Sequence, residues 1–203
     1  IDDVVDVIRD QAEHSVMSMV GLDEDEDVFA PIIYSSKKRS IWLGVNLITA
    51  FIAVYFIGLF EATLQQKIAL AILMPVVASM GGIAGTQTLI IVTRGIATGR
   101  VTNANIKALI NKEVAVSGLN GIIWSLVIGL ITYYWFSDLL LSLIIALAII
   151  ANLIVAAFSG AFLPLLLSKL RIDPALAGGV ILTTITDVIG FVAFLGLAAL
   201  FIK

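Results

Sequence analysis

Asp187 is the residue whose position along the chain points most clearly to chemistry. It is the fourteenth of 29 residues in the apolar stretch 174–202, close to the middle of a membrane-length segment. A carboxylate at that depth costs on the order of several kcal/mol unless it faces water, a cation or a partner. No lysine or arginine lies deep in any apolar stretch to pair with it. The neutralising charge must therefore come from a proton or a permeating cation; the alternative is a hydrogen-bonded acid that holds helices together.

The residues around Asp187 form a small, polar face of the predicted helix. Gly179 and Thr183 precede it by eight and four positions, and Gly190 follows it by three, so all share one side of a helix. Thr183 is predicted to add an oxygen to a metal site, through either its hydroxyl or its carbonyl group. The two glycines are predicted to line a pore, although glycines at this spacing also fit helix packing.

A second unusual segment lies in the apolar stretch 67–92, where a proline and three glycines interrupt the sequence. Ser79, Gly82 and Thr86 share one helix face, and their hydroxyl and accessible carbonyl oxygens suit a hard cation. A GxxxG pair ending at Gly85 permits close approach of a second helix. The predicted pore-lining residues of this segment are Ser79, Gly82, Gly85, Thr86 and Gln87.

The composition places these residues in a membrane protein. Hydrophobic residues make up 60% of the 203 and charged residues 13%, whereas about a quarter of a soluble domain is charged. The mean hydropathy is +1.09. The absence of cysteine and the single histidine, His14, exclude thiolate sites and sites with two imidazoles from one chain. No catalytic constellation predicts an enzyme, and the basic clusters give no support for nucleic-acid binding.

Five apolar stretches reach the length of about 20 residues that a membrane-spanning helix needs. They predict an all-α membrane protein with five spans, at residues 41–60, 67–92, 114–136, 139–168 and 174–202. Ten of the 12 lysines and arginines fall on one side when the N-terminus is placed inside, which predicts a C-terminus outside. Asn120 and Asn152 are expected to form hydrogen bonds between helices.

Residues 1–40 are predicted to form a cytosolic lead that precedes a pore domain at 41–203. The lead holds 10 of the 15 acidic residues and begins with apolar residues at helical spacing. Its acidic run is interpreted either as a solvated linker or as a cytosolic surface that binds divalent cations. The residues of this run are Asp23, Glu24, Asp25, Glu26 and Asp27.

Four motifs resemble those of the MgtE magnesium channels. Residues 75–87 (PVVASMGGIAGTQ) resemble the family's second span, and residues 94–99 (RGIATG) resemble the inner loop that follows. Residues 173–175 (DPA) and 183–191 (TTITDVIGF) resemble its fifth helix. At one position the chain departs from the pattern, because Ile83 stands where the family commonly has asparagine.

The resemblance implies a homodimer in the cell membrane, with a pore at the dimer axis lined by spans two and five. It implies that Asp187 is the pore aspartate and that Mg²⁺ is the transported ion, with Mn²⁺, Co²⁺ or Ca²⁺ as alternative ions. It also implies that residues 1–40 contain the tail of a CBS domain and a plug helix. The family's N-terminal helical domain and paired CBS domains are expected to precede this chain in a longer protein.

Three hypotheses about function follow from these residues. The first is a magnesium-selective channel or facilitator, in which two Asp187 carboxylates at a two-fold axis hold a hydrated ion through its waters. The second is a proton- or ion-coupled exchanger of divalent cations, because one acid can alternate between a proton and a cation. The third is a membrane scaffold that transports nothing, in which Asp187→Asn would leave ion flux unchanged.

Overall fold

The computed structural model describes residue 29 and residues 31–102, 104–172 and 174–202, with the side chains of 174–177 excepted. The predicted lead helix and the acidic run at 23–27 lie outside the described residues. Within the described ranges the chain forms six α-helices and no strand. They are α1 (Ile32–Gly58), α2 (Glu61–Gln66), α3 (Ile68–Ala97), α4 (Ile106–Phe136), α5 (Leu139–Lys169) and α6 (Pro174–Phe201).

Five of these helices, all except the short α2, are long and apolar enough to cross a membrane. This confirms the predicted all-α class and the number of spans. Two helices begin earlier than the apolar stretches do: α1 begins at Ile32 rather than 41, and α4 begins at Ile106 rather than 114. Both extensions carry lysines, whose long side chains favour helix and extend toward water. The helices therefore continue beyond their purely apolar parts.

The helix α5 lies at the centre of the bundle and packs against α3, α4 and α6. It has the highest mean hydropathy of the five spans, and about half of its residues are buried. A helix that is apolar on all sides is typical of a buried position. Its residues Ile145 and Ile149 form one core cluster with Val77 of α3 and Phe194 of α6. At the periphery, α1 packs against α6 and has one buried residue, Ala53.

Glycines allow the central helices to approach closely. A Cβ atom added at Gly160 of α5 would lie 2.5 Å from the carbonyl oxygen of Gly85 in α3. A Cβ atom added at Gly121 of α4 would lie 3.4 Å from the Cα atom of Ile150 in α5. Small residues at such positions permit close van der Waals packing between membrane helices.

An ion pair joins the loop before α3 to the start of α5. Lys67 donates a hydrogen bond to the Asp138 carboxylate, whose other oxygen accepts from the Leu141 amide at 3.0 Å. Asp138 thereby caps α5, because it satisfies an amide that has no partner within the helix. The hydrogen bond from Lys67 lowers the pKa of Asp138. The contact fixes one end of α3 beside the beginning of α5.

Candidate functional site

The helices α3 and α6, which carry the predicted site residues, run antiparallel against each other. A Cβ atom added at Gly85 would lie 3.1 Å from a methyl carbon of Leu182. One added at Gly178 would lie 3.0 Å from a methyl carbon of Leu89. A step of four residues forward along α3 therefore matches a step of four residues back along α6.

This register brings the two predicted motifs to the same height. Asp187 is at the middle of α6 and is level with Met80, near the middle of α3. Ser79 and Gly82 of α3 are thus within one helical turn of the height of Asp187. The oxygen-bearing segment of α3 and the acid of α6 share one level of the bundle.

Asp187 is half-buried and stands without a charged partner. Among the described residues, no lysine or arginine lies within 4 Å of its carboxylate and no side chain forms a hydrogen bond with it. The exposed Thr183 lies one turn away on the same face, and its hydroxyl donates to the Gly179 carbonyl at 3.0 Å. Because that bond uses the proton, the lone pairs of the hydroxyl oxygen are left to accept a hydrogen bond or bind a cation.

The carbonyl oxygen of Thr183 is the less accessible of its two oxygens. It accepts a hydrogen bond at 3.0 Å from the hydroxyl of Thr186, which is fully buried. Of the two groups considered from the sequence, the hydroxyl of Thr183 is therefore the better candidate ligand.

One face of α3 is left uncovered by the other described residues. Ser79 and Thr86 are exposed, and a Cβ atom added at Gly82 would meet nothing within 4 Å. The sequence predicts that these three residues share one helix face that is suited to a hard cation. They are available to a second protein molecule, to lipid or to a water-filled pathway.

Two other pore-lining candidates lie inside the chain's own helix packing. Gly85 is buried against Leu182, and a Cβ atom at Gly190 would lie 2.6 Å from the amide nitrogen of Asn152. The Asn152 amide donates to the Val77 carbonyl of α3 at 2.9 Å, which confirms the expected hydrogen bond between helices. These glycines let α3, α5 and α6 meet closely around the asparagine.

Another candidate, Gln87, lines a cavity of about 320 Å³ between α3 and α4. The same cavity is lined by Glu113, a carboxylate that was not among the predicted site residues because the apolar stretch of span three begins one residue later, at 114. The sequence does contain a periodic pattern that includes Glu113. The buried face of α4 is formed by residues that recur every four positions, namely Glu113, Ser117, Gly121 and Ser125. Asn120 also lines this cavity and forms no side-chain hydrogen bond with another described residue.

Basic residues gather at one end of the bundle. Arg94, Arg100 and Lys112 line a cavity of about 510 Å³ where the end of α3 meets the start of α4. Lys67, by contrast, is just before the first residue of α3, at the helix's opposite end. Lysine and arginine side chains are therefore more numerous at one end of the bundle than at the other, as the sequence predicts.

The described residues contain no group of three or more histidine, cysteine or acidic side chains that could hold a metal ion. At the level of Asp187, the described residues offer one carboxylate and the hydroxyls of Thr183 and Ser79. Magnesium needs octahedral oxygen coordination and keeps several of its waters in protein sites. A cation at this level would therefore be held largely through water, or by oxygens from more than one chain.

Five membrane-length helices, with an unpaired acid at the middle of the last, define a polytopic membrane protein. A sequence profile of the MgtE family, described as a divalent cation transporter, matches residues 74–197. This is more than half of the 203 residues, and the chain belongs to the MgtE family. Its family and its five apolar helices make it a multi-pass protein of the cell membrane.

Three curated relatives are each named "Magnesium transporter MgtE". The protein of Bacillus subtilis is 31% identical over 202 residues, which cover 100% of this chain and 45% of the relative. Those of Enterococcus faecalis and Thermus thermophilus are 29% and 28% identical, again over 100% of this chain and 45% of their own length. The chain thus spans slightly less than half the length of these relatives, and they are named as transporters rather than enzymes.

Proposed function

We propose that this chain forms the pore of a magnesium channel that lets Mg²⁺ enter the cell down its electrochemical gradient. The observation that carries the proposal is the unpaired, half-buried Asp187 at the middle of α6, beside the free oxygen lone pairs of Thr183. The names of the three relatives support magnesium as the ion. Mn²⁺, Co²⁺ and Ca²⁺ are the competing ions that a selectivity assay should include.

The pore is proposed to lie on the two-fold axis of a homodimer and to be lined by α3 and α6 of both chains. One protomer supplies a single carboxylate at the level of Asp187, which is too little charge to neutralise a divalent ion. A second protomer doubles the carboxylates and gives a charge of −2 at that level. The uncovered face of α3, with Ser79, Gly82 and Thr86, supports an additional protein surface or a pathway on this side.

The ion is proposed to pass Asp187 with most of its hydration shell. Magnesium loses its waters reluctantly and favours near-ideal octahedral geometry. Carboxylate and hydroxyl oxygens that accept hydrogen bonds from those waters would select an ion by its hydrated size as well as its charge. The two carboxylates would repel each other without an ion, and this repulsion favours a divalent over a monovalent occupant.

The N-terminus is proposed to be inside and the C-terminus outside. The basic cavity with Arg94, Arg100 and Lys112 then lies on the cytosolic side, where lysine and arginine are favoured. The Lys67–Asp138 pair then lies outside. Mg²⁺ would enter from that outer side, pass the level of Asp187 and leave at the basic end.

Flux into liposomes under an imposed potential tests this function. The chain is reconstituted in liposomes that contain a magnesium-sensitive dye, and a potassium gradient with valinomycin sets the interior negative. We expect Mg²⁺ entry that follows the potential and persists when proton and sodium gradients are abolished. A requirement for a counter-ion gradient would instead support a coupled exchanger, and no flux in either condition would support a scaffold.

A further inference from the structure

Glu113 is the one charged side chain that is buried among the described residues. It is the eighth residue of α4, and its exposed fraction is 4%. The ammonium of Lys112 donates a hydrogen bond to one carboxylate oxygen at 3.2 Å, and 66% of the Lys112 side chain is exposed. A charged side chain that is taken out of water needs a partner of opposite charge, hydrogen bonds or a bound cation. The channel mechanism proposed above makes no use of this carboxylate.

Five of the twelve residues that line the cavity beside Glu113 bear a side-chain oxygen, and the other seven are apolar. Gln87 and Thr88 come from α3, and Ser117 and Asn120 come from α4 together with Glu113. Neither the Gln87 nor the Asn120 amide forms a hydrogen bond within the described part of the chain. Two carbonyl oxygens are therefore free to bind a ligand next to a buried negative charge.

The geometry points to a second binding site for a divalent cation, formed by Glu113, Gln87 and Asn120 in the cleft between α3 and α4. This inference goes beyond the proposed function, because such a site can bind a cation whether or not Asp187 conducts one. Its donors are a carboxylate and two amide oxygens, which are the ligands that hard divalent cations prefer.

The size of the cavity fits a hydrated ion. A water molecule occupies roughly 30 Å³ in the liquid, so a volume of about 320 Å³ holds a divalent ion with its first shell of waters. Magnesium is commonly held by one or two carboxylates while it keeps several waters, and one carboxylate with two amides matches that pattern. The buried negative charge disfavours an anion, and the arginines Arg94 and Arg100 line the neighbouring cavity rather than this one.

Trp124 gives a local reporter, because it lines the same cavity. The other tryptophans, Trp42 and Trp135, are replaced by phenylalanine so that fluorescence reports Trp124 alone. The protein is placed in nanodiscs of neutral phosphatidylcholine and titrated with Mn²⁺, a paramagnetic ion that quenches indole fluorescence on close approach. We expect saturable quenching that excess Mg²⁺ reverses, and the same quenching when Asp187→Asn is added.

The variant Glu113→Gln keeps the size of the side chain and removes its charge. We expect it to raise the Mn²⁺ concentration at half-quenching by roughly tenfold or more, since loss of even a supporting residue costs about 10–100-fold in metal affinity. Asn120→Ala, at an exposed position, should raise it by about threefold or more. The control is Glu61→Gln, which removes a glutamate from the short helix α2 and should change nothing.

The inference is overturned if Glu113→Gln and Asn120→Ala both leave the half-quenching concentration where it was. Should Glu113→Gln fail to fold, Asn120→Ala decides alone, because it leaves the buried carboxylate in place. Failure of the proposed function gives a different result, since it appears as magnesium flux that is insensitive to Asp187→Asn. Quenching of Trp124 is read separately from flux, so the two claims fail independently.

Discussion

Gly160 is the position at which one added methyl group tests the helix packing most sharply. In Gly160→Ala the new Cβ atom would lie 2.5 Å from the carbonyl oxygen of Gly85. It would also lie 3.2 Å from the backbone nitrogen of Leu89. All of the closest neighbours belong to α3, and the nearest is a backbone atom, so no flexible side chain can move aside. The helices α3 and α5 must separate by roughly 0.5–1 Å to restore ordinary contact.

The expected cost of that separation is about 1–3 kcal/mol, the usual range for an extra carbon in a packed core. Replacement of glycine by alanine in a helix also brings a gain of about 1 kcal/mol, which partly offsets the loss. A matched control removes that term: Gly118 lies in α4, and a Cβ atom there would meet nothing within 4 Å. Gly118→Ala has the same gain in helix propensity but no clash. The difference in stability between the two variants therefore reports the contact between α3 and α5 alone.

The assay compares the thermal stability of the two variants in detergent, by the fraction that remains monodisperse after heating. We expect Gly160→Ala to lose its folded fraction several degrees below Gly118→Ala, and Gly118→Ala to match or exceed the unsubstituted protein. Equal stability of the two variants would refute the reasoning, because it would mean that α3 and α5 are not in contact at Gly85.

Two further predictions concern Thr183 and Asp138. Thr183→Val keeps the shape of the side chain but removes the hydroxyl, and it should reduce Mg²⁺ flux into liposomes several-fold. The control Thr184→Val, one position away, should not reduce the flux. Equal effects of the two substitutions would contradict a role for the Thr183 hydroxyl oxygen. The hydrogen bond from Lys67 lowers the pKa of Asp138 in the folded protein. The ion pair therefore stabilises the folded state fully above the carboxyl's ordinary pKa of 3.8, and this stabilisation is lost as pH falls through the lowered pKa. Asp138→Asn should therefore lower thermal stability at pH 7, by about 0–1 kcal/mol, with a smaller difference under strong acid; a difference that grew on acidification would contradict the pairing.

The number and order of the membrane-length helices could be predicted from the sequence because apolar length is a direct requirement of the bilayer. The ends of the helices could not be predicted in the same way, since a helix continues past its apolar part wherever polar side chains can reach water. The start of α4 shows the consequence: counting apolar residues placed it at 114, whereas the helix begins at Ile106 and includes Glu113.

Periodicity predicted which residues share a face but not what covers that face. Thr183 and Asp187 share a face, as their spacing of four indicates, and the structure leaves Thr183 exposed and Asp187 half-buried. Gly190 shares their spacing, yet α5 covers it through Asn152. Gln87 follows Thr86 directly and therefore projects about 100° away from it around the helix, toward α4. The identity of the neighbouring helix depends on packing between distant segments, which a local pattern does not contain.

The most direct test of the central claim is Mg²⁺ flux through Asp187→Asn in liposomes. The substitution keeps the size of the side chain and removes the charge that is proposed to hold the ion. Val192→Ile, a conservative change at a partly exposed position of the same helix, serves as the control. We expect Asp187→Asn to abolish most potential-driven Mg²⁺ entry and Val192→Ile to retain it. Flux through Asp187→Asn equal to that of the unsubstituted protein would contradict the account.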